Sequence, residues 1–241
     1  MKKIEPAVLV FAMVFPTLLT YIYFVYLAGE AGGLQKAAFG IGKMVQFSLP
    51  LFWVAVICKE PFLIRKFSTQ GFYAGLFFGL AVFFAMMKIY GQWLSIPGGG
   101  LGQDSQAFLI IRERISGFGL NNPLLYLLLG LFYSAIHSGL EEYYWRWFVF
   151  KRMKKGMPWL FAAVISSLGF MSHHVIVLGT YFGYDSLLCW LGSAGVAVGG
   201  FVWCWIYQQS GSIYGAWISH GIIDAAIFTV GAAVVLYGNA L

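Results

Sequence analysis

Long apolar runs, broken by short polar or glycine-rich connections, recur along the whole chain at 6–28, 37–58, 70–90, 122–149, 159–182, 186–208 and 213–237. A helix needs about 20 residues to cross a hydrocarbon core of about 30 Å, and each run reaches that length. The pattern predicts an all-α fold, a polytopic transmembrane helical bundle of about seven spans. Only "GTYFGYDS" (179–186) separates the fifth and sixth runs, so this pair could also be one hairpin. Pro16 and Pro50 fall inside runs, where a missing N–H favours a kink, and Pro123 and Pro158 stand at run starts. The longest connection, 91–121, contains the flexible "PGGGLG" (97–102) and continues as "DSQAFLIIRERISGF", with Phe108, Ile111 and Ile115 spaced for a surface helix. It reads as an interfacial strut on the outer side. Gly192, Gly195, Gly199 and Gly200 give the sixth run the small-xxx-small spacing that lets membrane helices approach closely.

Composition agrees with the pattern and excludes a soluble domain: 60% of residues are hydrophobic, 19% aromatic and only 10% charged. The net charge of +6 would suggest nucleic acid in a soluble protein, but its distribution points to topology. Lys2, Lys3, Lys59, Arg65, Lys66, Lys151, Arg152, Lys154 and Lys155 fall on one side of a seven-span chain, against Lys36, Arg112 and Arg114 on the other. The positive-inside rule then sets the N-terminus in the cytoplasm, and the "KRMKK" run becomes an anchor with no nucleic-acid role. Behind Lys2 and Lys3, the first run is too long for a signal-peptide core and lacks a clean cleavage site, so it is expected to stay as an anchor. Cys58, Cys189 and Cys204 lie within or at the end of apolar runs without CxxC spacing and read as small buried hydrophobes. Size and charge bias suit an integral protein of a prokaryotic plasma membrane.

Few titratable residues fall within the runs: Lys43, Lys88, His137, Glu141, Glu142, Arg146, His173, His174, His220 and Asp224. Such groups face a bundle interior or a wet cavity and are candidates for function. Lys43 and Lys88 sit near run ends, from which a lysine can snorkel, and are set aside. The others cluster in "HSGLEEYYWRW" (137–147), "FMSHH" (170–174) and "HGIID" (220–224). Glu142 and Arg146, four apart, share a helix face and can pair. Glu141 is turned about 100° from Glu142, with His137 four residues before it. Glu141 is therefore the candidate for chemistry, with Glu142 and Arg146 as its support. Glu141 and His220, on helices of opposite direction, come out about 9 Å and about 7 to 8 Å toward the cytoplasm from mid-span; His174 lies somewhat outward of its span's middle. His173, beside His174, is expected to point elsewhere. Tyr143, Tyr144, Trp145 and Trp147 read as lipid-facing or packing aromatics.

"EEYYWR" (141–146), "FMSHH" and "HGIID", in this order on separate predicted helices, resemble the EExxxR, FxxxH and HxxxN/D signatures of the CPBP family, the CAAX protease and bacteriocin-processing (Abi) intramembrane glutamic endopeptidases. The resemblance covers about 122–230, the catalytic core of a single membrane domain spanning 1–241, with N-terminal spans and outer loop in 1–121. It implies a helical bundle around a polar intramembrane cavity and hydrolysis without a metal or other cofactor. Glu141 would activate a water, His174 would help hold it, and His220 with Asp224 would bind the developing oxyanion. Phe170, Glu142, Arg146 and His137 would support them. Partners implied are a membrane-associated peptide or lipidated protein as substrate, and membrane lipids.

Asp224 replaces the asparagine of better known CAAX-cleaving members. An ionised aspartate has no proton to donate, so it either orients His220 and keeps it protonated or is itself protonated, and a prenylated substrate does not follow directly. Other classes fit the same residues. Glu141, His174 and His220 could ligate zinc in a membrane metalloprotease. A non-catalytic scaffold or immunity protein could use the cavity for binding. A proton-coupled transporter would also place Glu, His and Asp in the membrane, although no internal repeat or matched pair of broken helices supports one.

Overall fold

Every predicted run becomes a helix in the computed structural model, which describes residues 5–29 and 33–238. The helices long and apolar enough to cross a membrane are α1 (Glu5–Tyr26), α2 (Gly33–Ile57), α3 (Thr69–Leu94), α5 (Pro123–Met153), α6 (Trp159–Phe182), α7 (Leu187–Ser210) and α8 (Tyr214–Val235). Between α3 and α5 lies the shorter α4 (Gln106–Gly117), the helix expected from the spacing of Phe108, Ile111 and Ile115. The described residues contain no strand. Lys2 and Lys3 lie outside the described residues.

Local chemistry explains the boundaries. Ser68, Ser105, Asn122 and Ser186 each accept a hydrogen bond from a backbone N–H of the first turn that follows them, satisfying donors that a helix start otherwise leaves unpaired. Pro123 follows Asn122 as the first helical residue, where its missing N–H is harmless. Gly183 stops α6 with φ +83° and Gly211 stops α7 with φ +66°, left-handed values that glycine adopts without a Cβ penalty. The punctuation at 179–186 is thus a real turn between two spans. Pro16 and Pro50 stay inside α1 and α2, and both helices continue into π-helical turns, Ile22–Tyr26 and Phe52–Ile57.

The surface is as apolar as lipid contact requires. Phe77 is 78% exposed and Leu187 71%, in the company of many other exposed large hydrophobics that water would not tolerate as a continuous surface.

Two compact units divide the described residues, one from residues up to Phe67 with Glu141–Ile213, the other from Ser68–Leu140 with Tyr214 onward. In the first, the C-terminal half of α5 is enclosed by α1, α2, α6 and α7. Tyr144, Trp145, Trp147, Phe148, Val149 and Phe150 are all buried, so these are packing residues, while Tyr143 is half-buried. The Tyr144 hydroxyl donates to the Ala12 carbonyl (2.7 Å) and the Trp147 indole N–H to the Leu63 carbonyl (2.8 Å). At the end of α5, Arg152 bridges Glu5 (3.0 Å) and Glu60 (2.6 Å), with Lys155 3.5 Å from Glu60. Slight burial pushes the Glu60 carboxyl up, but the charges and hydrogen bonds of Arg152 and Lys155 outweigh it and hold the group below its ordinary range.

In the second unit α3 lies against α8. Gly75 faces the Gly215 backbone so closely that a Cβ would overlap its carbonyl oxygen, and at Gly79 a Cβ would lie 3.1 Å from Ser219 Cα. The tightest small-xxx-small crossing is therefore here and not at the α7 glycines, among which Gly195 faces open space. From α8 the Trp217 indole N–H donates to the Ala135 carbonyl (2.8 Å), and the Phe228 carbonyl accepts from the Tyr126 hydroxyl (3.2 Å).

Candidate active site

α5 is not a uniform α-helix where the first motif lies. Ser138–Glu142 is α-helical between π-helical turns at Phe132–His137 and Tyr143–Phe150, and single π turns recur at functional sites. The pairing expected from i,i+4 spacing survives this irregularity: Arg146 Nε lies 3.1 Å from Glu142 Oε2, with the two side chains 1% and 0% exposed. Arg146 also touches α6 and α7. Its Nη2 donates to the Gly200 carbonyl (3.4 Å), and its guanidinium lies 4.9 Å from the ring centroids of both Phe170 and Trp203. A Cβ on Gly200 would approach Ser167 Oγ to 3.2 Å and Arg146 Nη2 to 3.4 Å, so one of the α7 glycines makes room for the arginine.

Glu141 is 2% exposed. The imidazole brought against it is that of His173, whose Nε2 lies 3.6 Å from Glu141 Oε1. This corrects the expectation that His173 points elsewhere. His173 is buried, stacked on Trp145 (6.1 Å, 10° between planes) and edge-on to Phe170 (5.4 Å). His174 is half-buried, and its ring centroid is 4.2 Å from that of His173. Its Nδ1–H donates to the Phe170 carbonyl (3.0 Å), because a carbonyl only accepts. In the neutral ring this leaves Nε2 as the acceptor, the tautomer suited to receiving a water proton or binding a metal. Phe170 thus serves twice, flanking Arg146 with its ring and fixing His174 through its backbone.

Glu141, His173 and His174 each bring a possible ligand atom to within 4.8 Å of the others. Two histidines and a carboxylate are a donor set found in catalytic zinc sites, so these residues fit a metal in kind. The fit uses His173 where the sequence suggested His220.

The other motif residues fall in the second unit. His220 is buried and its Nε2 is 3.7 Å from Asp224 Oδ1, too long for a hydrogen bond but within ion-pair range. Gly221, between them, packs on the Ser134 carbonyl, which also accepts from Ser138 Oγ (2.7 Å). Trp217 shields Gly139. His137 stacks on Tyr133, 4.7 Å between centroids. Glu141, His173 and His174 come together in one unit, and His220 and Asp224 in the other.

Sequence spacing also passed over Lys43. On α2 it stands ten residues after Gly33 and fourteen before Ile57, well inside the span and not near its end. Its ammonium interacts electrostatically with the Glu141 carboxylate and the His173 ring. Only the full extent of the helix would have pointed to it, since the apolar run by itself begins at residue 37.

No curated protein and no solved structure matches the chain. Residues 121–226 match the family model described as type II CAAX prenyl endopeptidase Rce1-like, a little under half of the chain, from the start of α5 through the last motif on α8. With seven apolar helices and all three motifs inside the match, the protein is an integral multi-pass membrane protein whose segment 121–226 is similar to the Rce1-like family of type II CAAX prenyl endopeptidases.

Proposed function

We propose that the chain is an intramembrane glutamic endopeptidase that hydrolyses a peptide bond of a membrane-associated peptide or lipidated protein, with Glu141 as the base. The observation that carries this is the division of labour between adjacent glutamates. Glu142 has its own arginine at 3.1 Å, while Glu141, equally buried, faces imidazole at 3.6 Å. A carboxylate so placed takes a proton from water as the water oxygen attacks the carbonyl carbon. The C=O π electrons move to the oxygen as an oxyanion. Collapse of the tetrahedral intermediate breaks the C–N bond, and the proton held by Glu141 passes to the leaving amine. His174, with Nδ1 engaged by Phe170, offers Nε2 to the attacking water, and His173 orients the carboxylate. General-base catalysis of this kind typically contributes about 10²–10⁴-fold.

The family motif assigns oxyanion stabilisation to His220 and Asp224. The 3.7 Å separation within that pair supports Asp224 as the group that orients His220 and favours its protonated form, which restores the donor that an asparagine would have supplied. The substrate class follows from the family, whose described members are prenyl endopeptidases, and a prokaryotic plasma membrane with a cytoplasmic N-terminus remains the proposed setting.

Purified protein in liposomes, offered farnesylated and unmodified peptides, tests this. Glu141→Gln should lower cleavage at least about a hundredfold while the protein still folds, and wild-type rates in that variant would refute the assignment. The set Glu141, His173 and His174 favours one second reading, a zinc-dependent hydrolase in which these residues hold the ion. Bound zinc would polarise a water. Stoichiometric zinc in active protein, lost together with activity on chelation, would replace the metal-free mechanism.

A further inference from the structure

Lys43 lies about 15 Å along α2 from its first residue, at 1.5 Å per residue. An ammonium at that depth is unfavourable without compensation, and three observations show what compensates it. Phe39 and Phe47, one turn before and after, hold the ammonium 5.5 and 5.3 Å from their ring centroids. Phe47 meets Tyr144 edge-on at 6.3 Å, which sets this stripe of α2 against α5 one turn beyond Glu141. As the second and fourth of the membrane-crossing helices, α2 and α5 run in the same direction, so one turn before the Phe47–Tyr144 contact stand Lys43 on α2 and Glu141 on α5, within electrostatic reach of each other.

We propose that Lys43 is a positioning residue, the resident counter-cation of Glu141, which balances the carboxylate's charge inside the membrane and fixes it against His173. Its part in hydrolysis rests on the proposed function, whereas its pairing with Glu141 does not. A cation already in place also opposes a divalent ion on Glu141, His173 and His174, since like charges repel strongly where the dielectric is low.

A thermal double-mutant cycle tests the pairing without reference to activity. Lys43→Met should lower Tm by several degrees in the wild-type background but by less than about 2 °C with Glu141→Gln, and Lys43→Arg should hold the wild-type Tm. Equal shifts in the two backgrounds would overturn the proposal. In the cleavage assay Lys43→Met should reduce kcat about tenfold, the scale of a charge acting through space, with KM within about twofold and rescue by Lys43→Arg. An unchanged kcat in Lys43→Met would overturn it too. Should Lys43→Met not fold, Lys43→Gln takes its place in both assays. Cleavage that survives Glu141→Gln would refute glutamate catalysis and leave the melting cycle to decide on Lys43.

Discussion

Arg146→Met isolates what the buried pair beside the catalytic candidate contributes. Arg146 is 1% exposed and Glu142 0%, so removing the arginine leaves a carboxylate enclosed among helices without its cation. Breaking such a pair from one side typically costs about 3–5 kcal/mol. The aromatic contacts of the guanidinium with Phe170 and Trp203 at 4.9 Å belong to the same site and are not added separately. At about 2–4 °C per kcal/mol for a chain of this size, Tm should fall by about 6 to 20 °C in detergent. Removing both charges has a different result. Glu142→Leu with Arg146→Met leaves no buried ion, and replacements of that kind are often neutral or stabilising. The double variant should therefore melt well above the single one, close to wild type. A shift below about 2 °C for Arg146→Met, or a double variant less stable than the single, would refute the claim that Arg146 is held there chiefly by the Glu142 charge.

Further outcomes follow from other contacts. Gly75→Val should destabilise strongly, because the added atoms meet the Gly215 backbone, which cannot rotate away; Gly195→Val, facing open space, should melt near wild type, and equal effects would refute the assignment of the tight crossing to α3 and α8. Glu60 has a lowered folded-state affinity for protons, so its contribution is fully present above its ordinary value near 4.5 and is lost as pH falls through the depressed one. Its side chain is 45% exposed, which limits the effect to less than about 1 kcal/mol. Wild-type Tm should fall more between pH 5 and pH 3 than that of Glu60→Gln, and parallel curves would refute the link.

Much of the site was legible because its signals are local. Glu142 and Arg146 are one helical turn apart, and that neighbourhood holds through the π turn at Tyr143–Phe150. The same local rule brings Phe170 to His174 and His220 to Asp224. It failed for His173, because adjacent residues on a helix point about 100° apart and nothing in "FMSHH" says which side faces Glu141. It failed for Lys43 because hydropathy starts the run at residue 37 while the helix starts at Gly33.

Hydropathy along the chain determined the number of spans, their approximate ends and which segments carry ionisable groups, because insertion into lipid depends on the composition of about 20 consecutive residues. The turn after α6 was equally local, since only a glycine accepts the positive φ at Gly183. Tertiary structure alone decided which imidazole meets Glu141, which glycines form the closest crossing and which cation balances the carboxylate. Those depend on how one helix is rotated against another, and rotation is set by side-chain contacts between segments far apart in the chain.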